Sequence, residues 1–420
     1  MGSSEFAATR AFPAWRFAAA PALERAPSEA KPRASYYFLL AFIFLLYLNV
    51  PIVLPAFEMV HPAKLAGGAA ILALLVEIAL GRRRFSLSPP EGYLLLAFAG
   101  VAALSCITAL WPGFAVNWLA DLLKMALIYY FIANVCSSEA GLRGAMWTML
   151  IGGLVPAAGV LRNYLHGNIV EGRTAWVGLF ANPNDLAYSL AILIPLAAAL
   201  SDRASVLKRI VLAGISILFA AAIFVTFSRG GLIGLAAVIF LCVWRRRSVL
   251  AWISLALVAG AGFFALAHYW TRSQGFSDIQ DDSTFEMRIA TSQAGLEMFR
   301  DHPLLGVGPG CSVVAWPLYA PPGIRTRGAL ITHNTFIQAL SETGFPGFLA
   351  FFSFVGFAIW KARKLRLRRS SGNVGTLANG LEIAIWGFAV CGLSAGIMLT
   401  WFPYILAGLV SAARRIPEAA

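Results

Sequence analysis

Charge divides this chain. Stretches with hardly a Lys, Arg, Asp or Glu, each near the ~20 residues a helix needs to cross a bilayer, alternate with short basic runs such as Arg82–Arg84, Arg245–Arg247 and Lys361–Arg369. Few folds can carry that pattern. Inside hydrocarbon every backbone amide must be satisfied within its own segment or a closed barrel, and uninterrupted apolar runs of this length satisfy it as helices. Composition agrees: 59% of the 420 residues are hydrophobic, 13% are charged and the mean hydropathy is +0.73, where soluble chains carry about a quarter charged residues. The expected fold class is an all-α polytopic integral membrane protein.

Hydropathy marks twelve candidate spans, at 36–55, 64–80, 92–110, 115–135, 143–162, 184–200, 209–227, 230–244, 249–269, 335–360, 378–395 and 397–413, the last two separated by little more than Gly396. With the amino terminus cytoplasmic, 23 of the 33 Lys and Arg fall on the inner side. That distribution satisfies the positive-inside rule with both termini cytoplasmic. The net charge of +13 is therefore explained by topology and anionic membrane lipid, and nucleic acid is not needed as a partner.

Residues 1–35, rich in Ala and Pro, read as a disordered cytoplasmic leader and not a signal peptide. Spans one to nine then occupy 36–269, an external segment 270–334, spans ten to twelve 335–413 and a cytoplasmic tail 414–420. The external segment is long for a connection, and long loops carry function or disorder. Order is expected here. Ser283 and Glu286 form a capping box, and Phe285, Ile289, Leu296 and Phe299 recur at helical spacing, a stripe suited to the membrane surface or the spans. The Gly- and Pro-rich DHPLLGVGPG (301–310) follows as a compact turn, then Arg325 and Arg327 shortly before His333.

All five histidines, His61, His166, His268, His302 and His333, lie on or near the outer side of this topology, and none has metal-ligand spacing. No metal and no cofactor are expected. One outward cysteine, Cys311, supports no disulfide framework. Asp121 and Lys124, three apart in the fourth span, read as a neutralising pair facing the bundle interior rather than an ion relay. His333 differs from the other histidines because it opens HNTFIQALSETGFPG, with Asn334 beside it at a helix start and Gly344 and Gly347 downstream.

That string resembles the signature of the bacterial O-antigen ligase family, whose relatives include O-antigen and exopolysaccharide polymerases. GRTAWVGLFANPNDLAYSL (172–190), TFSRGGLIGL (226–235) and the pattern of Arg288 before FRDHPLLGVGPG (299–310) look like the same family. The resemblance covers roughly 170–350. It implies about 12 transmembrane helices with a large, partly helical periplasmic loop between spans nine and ten, similar to class C membrane glycosyltransferases. It also implies metal-independent, inverting transfer of a glycan from an undecaprenyl-pyrophosphate donor to a sugar hydroxyl of a lipid A-core acceptor, at the periplasmic face of the bacterial inner membrane.

The residue types suit such chemistry. A departing pyrophosphate needs its charge neutralised, which guanidinium forks do with bidentate hydrogen bonds, and an attacking hydroxyl needs a neutral imidazole as base. His333 is the expected base, with Arg288 and Arg229 on the pyrophosphate. Arg173, His302, Arg325, Arg327 and Asn334 are expected as further substrate contacts, and the external segment as a lid. Asn182, Pro183 and Asn184 read as the cap of the sixth span. A polymerase of the same superfamily and, more distantly, a twelve-span secondary transporter are the alternatives.

Overall fold

In the computed structural model, residues 33–417 are described other than 54, 58, 171, 247, 250, 251, 254–259, 261–282, 324–329, 370 and 371. Among the described residues the regular elements are helices, with one isolated bridge between Val170 and Arg173. In chain order they include α1 (Ala34–Leu48), α2 (Pro62–Ala79), α3 (Glu91–Ile107), α4 (Pro112–Val135), α5 (Glu139–Leu165), α6 (Pro183–Ser201), α7 (Val206–Val225) and α8 (Arg229–Arg246). Then follow α9 (Ser283–Asp301), α10 (Ser312–Tyr319), α11 (Thr335–Arg368), α12 (Asn373–Cys391) and α13 (Phe402–Ala413).

Seven of these, α2, α4, α5, α6, α7, α11 and α12, are long and apolar enough to cross a membrane. Helices α1, α3 and α13 are apolar but shorter, and α8 carries Arg229, Arg245 and Arg246 within its 18 residues. The expected ninth span, 249–269, falls almost wholly outside the described residues, as does the leader 1–35. The protein is thus a multi-pass helical membrane protein in which seven of the twelve expected spans meet the length and hydropathy a crossing requires.

Helices apolar on every side belong in the centre of a bundle. Every residue of α13 and nearly every residue of α6 is buried, whereas α2 buries only Ala70, Leu74 and Glu77 and faces outward. Buried carboxylates are matched by cations: Glu382 pairs with Arg245 at 2.6 Å and Arg366 at 2.8 Å, Glu77 with Arg83 at 3.0 Å, and Glu91 with Lys361. Pairing matters there, because a lone buried charge is costly.

Three expectations change in detail. The last two spans do not abut at Gly396. Helix α12 stops at Cys391 and α13 starts at Phe402, so residues 392–401 form a separate non-helical segment, whose apolar sequence hides the break. Asp121 and Lys124 do pair, at 2.7 Å, but with side chains 51% and 68% exposed they do not face the bundle interior. Helix α9 begins at Ser283 as expected, though the side chains of Ser283 and Phe285 lie outside the described residues. Its buried face is Ala290, Ala294 and Met298, while Ile289 and Leu296 of the expected stripe are exposed. Those small inner residues let α9 lie close on α11, where a β-carbon on Gly295 would meet Ile337.

Candidate active site

The His333 motif is a helix start followed by a kink. Asn334 caps α11, its side-chain oxygen accepting from the amides of Phe336 at 2.9 Å and Ile337 at 3.2 Å, which serves amides that have no partner within the helix. Its amide nitrogen donates to the Leu393 carbonyl at 3.2 Å. Thr335 ties the same point to the 392–401 segment: its amide donates to Gly392 O at 2.7 Å, its hydroxyl donates to Ala395 O at 2.6 Å and accepts from Ile397 N at 3.0 Å.

Gly344 marks the kink, with φ +64 and ψ −173, a region held essentially by glycine that costs other residues about 1–3 kcal/mol. A β-carbon there would also strike the Leu304 backbone. The 301–310 turn packs on this kink through Phe345 N to Pro303 O and Val307 N to Ser341 O, both 2.8 Å. Buried Glu342 receives the Ser312 hydroxyl at 2.5 Å and the Gly310 and Ser312 amides. Neutral donors therefore hold this carboxylate, and they fasten the external segment to α11.

The Arg288 charge reaches His333 at the start of α11. His333 is pushed down to about 4 from the ordinary 6.5, first by burial and then by the Arg288 charge, since both oppose an imidazolium. The same guanidinium charge reaches the Tyr188 hydroxyl on α6, and Arg288 Nε is buried without a hydrogen-bond partner. Tyr188 shares a 3.1 Å hydrogen bond with the Ser394 hydroxyl. Gly230 lies against both, with no room for a β-carbon between them, so the first turn of α8, and Arg229 with it, adjoins this cluster.

Ser228 fixes that turn. Its hydroxyl accepts from Gly231 N at 3.1 Å and donates to Asn184 Oδ1 at 2.6 Å. Asn184 Oδ1 also accepts from Arg173 Nη2 at 2.7 Å. Asn182 and Pro183 open α6 as expected, Asn182 accepting from Asn184 N at 2.8 Å. Trp401, Phe180 and Tyr47 pack together with ring centroids 5.8 to 6.2 Å apart, joining the 392–401 segment to the 172–182 loop.

Among the expected site residues, then, the fold gathers His333, Arg288 and Arg229, and brings Arg173 in through Asn184. Asn334 spends its polar atoms on the cap. His302 is set apart: α9 and the start of α11 run parallel, and fourteen residues of chain, about 21 Å if helical, separate it from Arg288. Arg325 and Arg327 lie outside the described residues. Asn184, Tyr188, Ser228 and Ser394 were not singled out as site residues from the sequence. Ser and Asn beside helix starts look like ordinary caps, and nothing local shows that their second hydrogen bonds cross to other helices. Among the described residues no three His, Cys, Asp or Glu side chains gather as a metal site.

Comparison with known proteins bears on the same stretch. Residues 214–352 match the family described as O-antigen ligase, a span that includes Arg229, Arg288, His302, His333 and Asn334 but not Arg173. A curated relative, the exopolysaccharide production protein ExoQ of Rhizobium meliloti (strain 1021), is 26% identical over 266 residues. The match covers 58% of this chain and 60% of that protein's length. The family match thus covers three of the segments that carry the resemblance, 226–235, 299–310 and the His333 string, and not 172–190.

Proposed function

We propose that the protein is an O-antigen ligase, moving a glycan from undecaprenyl pyrophosphate to a sugar hydroxyl of lipid A-core. The reaction takes place at the periplasmic face of the bacterial inner membrane, with both termini cytoplasmic. The observation that carries this reading is the Arg288 charge acting on the buried His333 imidazole inside the matched domain. It sets a charge suited to a pyrophosphate beside a neutral imidazole suited to a hydroxyl proton.

In the proposed step the acceptor oxygen bonds to the anomeric carbon as that carbon's bond to pyrophosphate breaks. The hydroxyl proton passes to His333, and the electron pair leaves with undecaprenyl pyrophosphate. Arg288 and Arg229 hold the leaving group, and Arg229 is aided by its place at a helix amino terminus. One displacement without an enzyme nucleophile inverts the anomeric centre. No metal enters the scheme.

An imidazole near pKa 4 is a weak base, and substrate corrects this. A bound diphosphate offsets the Arg288 charge and raises the imidazole toward its ordinary value. The base thus gains strength only when a donor is present. Arg173, through Asn184, extends the cationic surface. His302, Arg325, Arg327 and Asn334 fall to acceptor binding or to shaping the external segment as a lid.

Chain elongation, with a second lipid-linked repeat as acceptor, is a second reading, favoured by the exopolysaccharide production named for the Rhizobium meliloti relative. Purified protein incubated with undecaprenyl-pyrophosphate glycan, with or without core lipid, separates the two on a gel. Capped core supports the ligase, and lengthened donor supports the polymerase. Loss of both products in His333→Ala, with an unchanged melting profile, is the expected control. Full transfer by that variant would remove the base, and solute flux without glycan transfer would remove the enzyme.

A further inference from the structure

The opposite end of α11 carries a feature that the transfer reaction does not use. Beyond the Gly344 kink the helix runs about 36 Å further to Arg368, and its last turns carry the basic run from Lys361 to Arg369. There it borders a cleft of about 600 Å3, closed on its other sides by Pro89, Pro90 and Arg414. Its cations are Lys361, Lys364, Arg368, Arg369 and Arg414, and among the described residues no carboxylate lines it.

The charges are unequally engaged. Lys361 is buried and paired with Glu91, and Arg414 donates to the Pro89 carbonyl at 3.0 Å. Among the described residues no lining carboxylate offsets the charges of Lys364 and Arg368. Lys364 rests over the Trp360 ring, its Nζ 4.6 Å from the centroid, a cation–π contact that holds the ammonium at the rim.

The wall is apolar. Phe357 and Trp360 are 40% and 50% exposed, pack edge to face at 6.0 Å, and continue the outward surface of a helix apolar enough to cross the bilayer. Exposed aromatics leading from a lipid-facing surface into a cationic cleft match a ligand with acyl chains and a phosphate head. A soluble phosphate would leave the aromatic wall unused.

We infer that this cleft binds an anionic glycerophospholipid, its phosphate among Lys364, Arg368 and Arg414 and its chains along Phe357 and Trp360. Basic pockets between spanning helices hold such headgroups by charge and shape together, whereas a zwitterionic lipid brings no net charge to them. The inference is independent of which glycan the protein transfers.

Native mass spectrometry of the full chain, released from mixed phosphatidylglycerol and phosphatidylethanolamine, tests it. Wild type should retain phosphatidylglycerol preferentially, and Lys364→Ala with Arg368→Ala should reduce that preference by about tenfold. Lys208→Ala, which removes an exposed cation elsewhere, should not. Arg414→Gln, just past the end of α13, should weaken retention on its own, so the test survives if the double variant misfolds. Equal retention by wild type and cleft variants would overturn the site. Displacement of the lipid by millimolar inorganic phosphate would overturn the lipid as its ligand.

Discussion

Arg173 donates to Asn184 Oδ1 at 2.7 Å, and the same oxygen takes the Ser228 hydroxyl at 2.6 Å. One amide oxygen thereby joins the 172–182 loop, the start of α6 and the start of α8. The register of Arg173 relative to Arg229 depends on this oxygen, since the two arginines come from separate stretches of chain 56 residues apart.

Asn184→Ala should therefore damage transfer without unfolding the protein. Hydrogen bonds to charged groups contribute about 1.5–3 kcal/mol, so kcat/KM should fall by about tenfold to a hundredfold. Asn184→Asp, which keeps an acceptor oxygen, should retain more activity than the alanine variant. Steady-state kinetics on the three proteins check this, and equal activity in all of them would show that Asn184 does not position the arginines.

At Gly344 a β-carbon is opposed twice, by φ +64 and by the Leu304 backbone. Gly344→Ala should lower the melting temperature and detach the 301–310 turn from α11, at a cost of about 1–3 kcal/mol from backbone conformation before any clash. Tryptophan fluorescence is a suitable reporter because Trp316 is buried in the cluster that this turn helps form. Unchanged thermal stability would mean that α11 can straighten.

Much of this fold was legible because lipid permits so few solutions. Apolar stretches 184–200 and 209–227 announced α6 and α7 within a few residues, and Asn182 with Pro183 marked the start of α6. Residues 392–401 were not legible. Their sequence, GLSAGIMLTW, is as apolar as the helices on either side, and what breaks the helix is distant, the Thr335 amide and hydroxyl competing for Gly392, Ala395 and Ile397.

The site divides along the same line. His333, Arg229 and Arg288 stood out because charge and imidazole are scarce in such a chain and their segments carry family patterns. Tyr188 and Ser394 are ordinary residues in apolar runs, and only packing puts their hydroxyls 3.1 Å apart beside Gly230. Glu342 was not singled out from the sequence. Its burial under Ser312 is a product of the turn folding back.

Transfer should survive a chelator. The scheme gives the diphosphate to guanidinium groups, and among the described residues no three candidate ligands gather. Activity in EDTA should match activity in magnesium within error, and Arg288→Lys, which keeps charge but loses the planar fork, should lose most of it. Strict dependence on a divalent ion, restored by adding it back, would contradict the arginine scheme.

The pH profile should distinguish free from donor-bound enzyme. With His333 at about 4 in the free protein, the acid limb of kcat/KM, which reports free enzyme, should fall only near that pH. The limb of kcat reports the bound complex, and it should lie higher, because the diphosphate offsets Arg288. In Arg288→Gln the kcat/KM limb should rise as well, yet stay below the ordinary 6.5, since burial is the larger cause. Stability follows with a fixed sign. Between about 4 and 6.5 the unfolded chain holds the His333 proton more tightly than the folded one, so this group's contribution is complete above that window and is lost as pH falls through it. Coincident limbs for kcat and kcat/KM at one pH in wild type would show that the donor does not act on the base through Arg288.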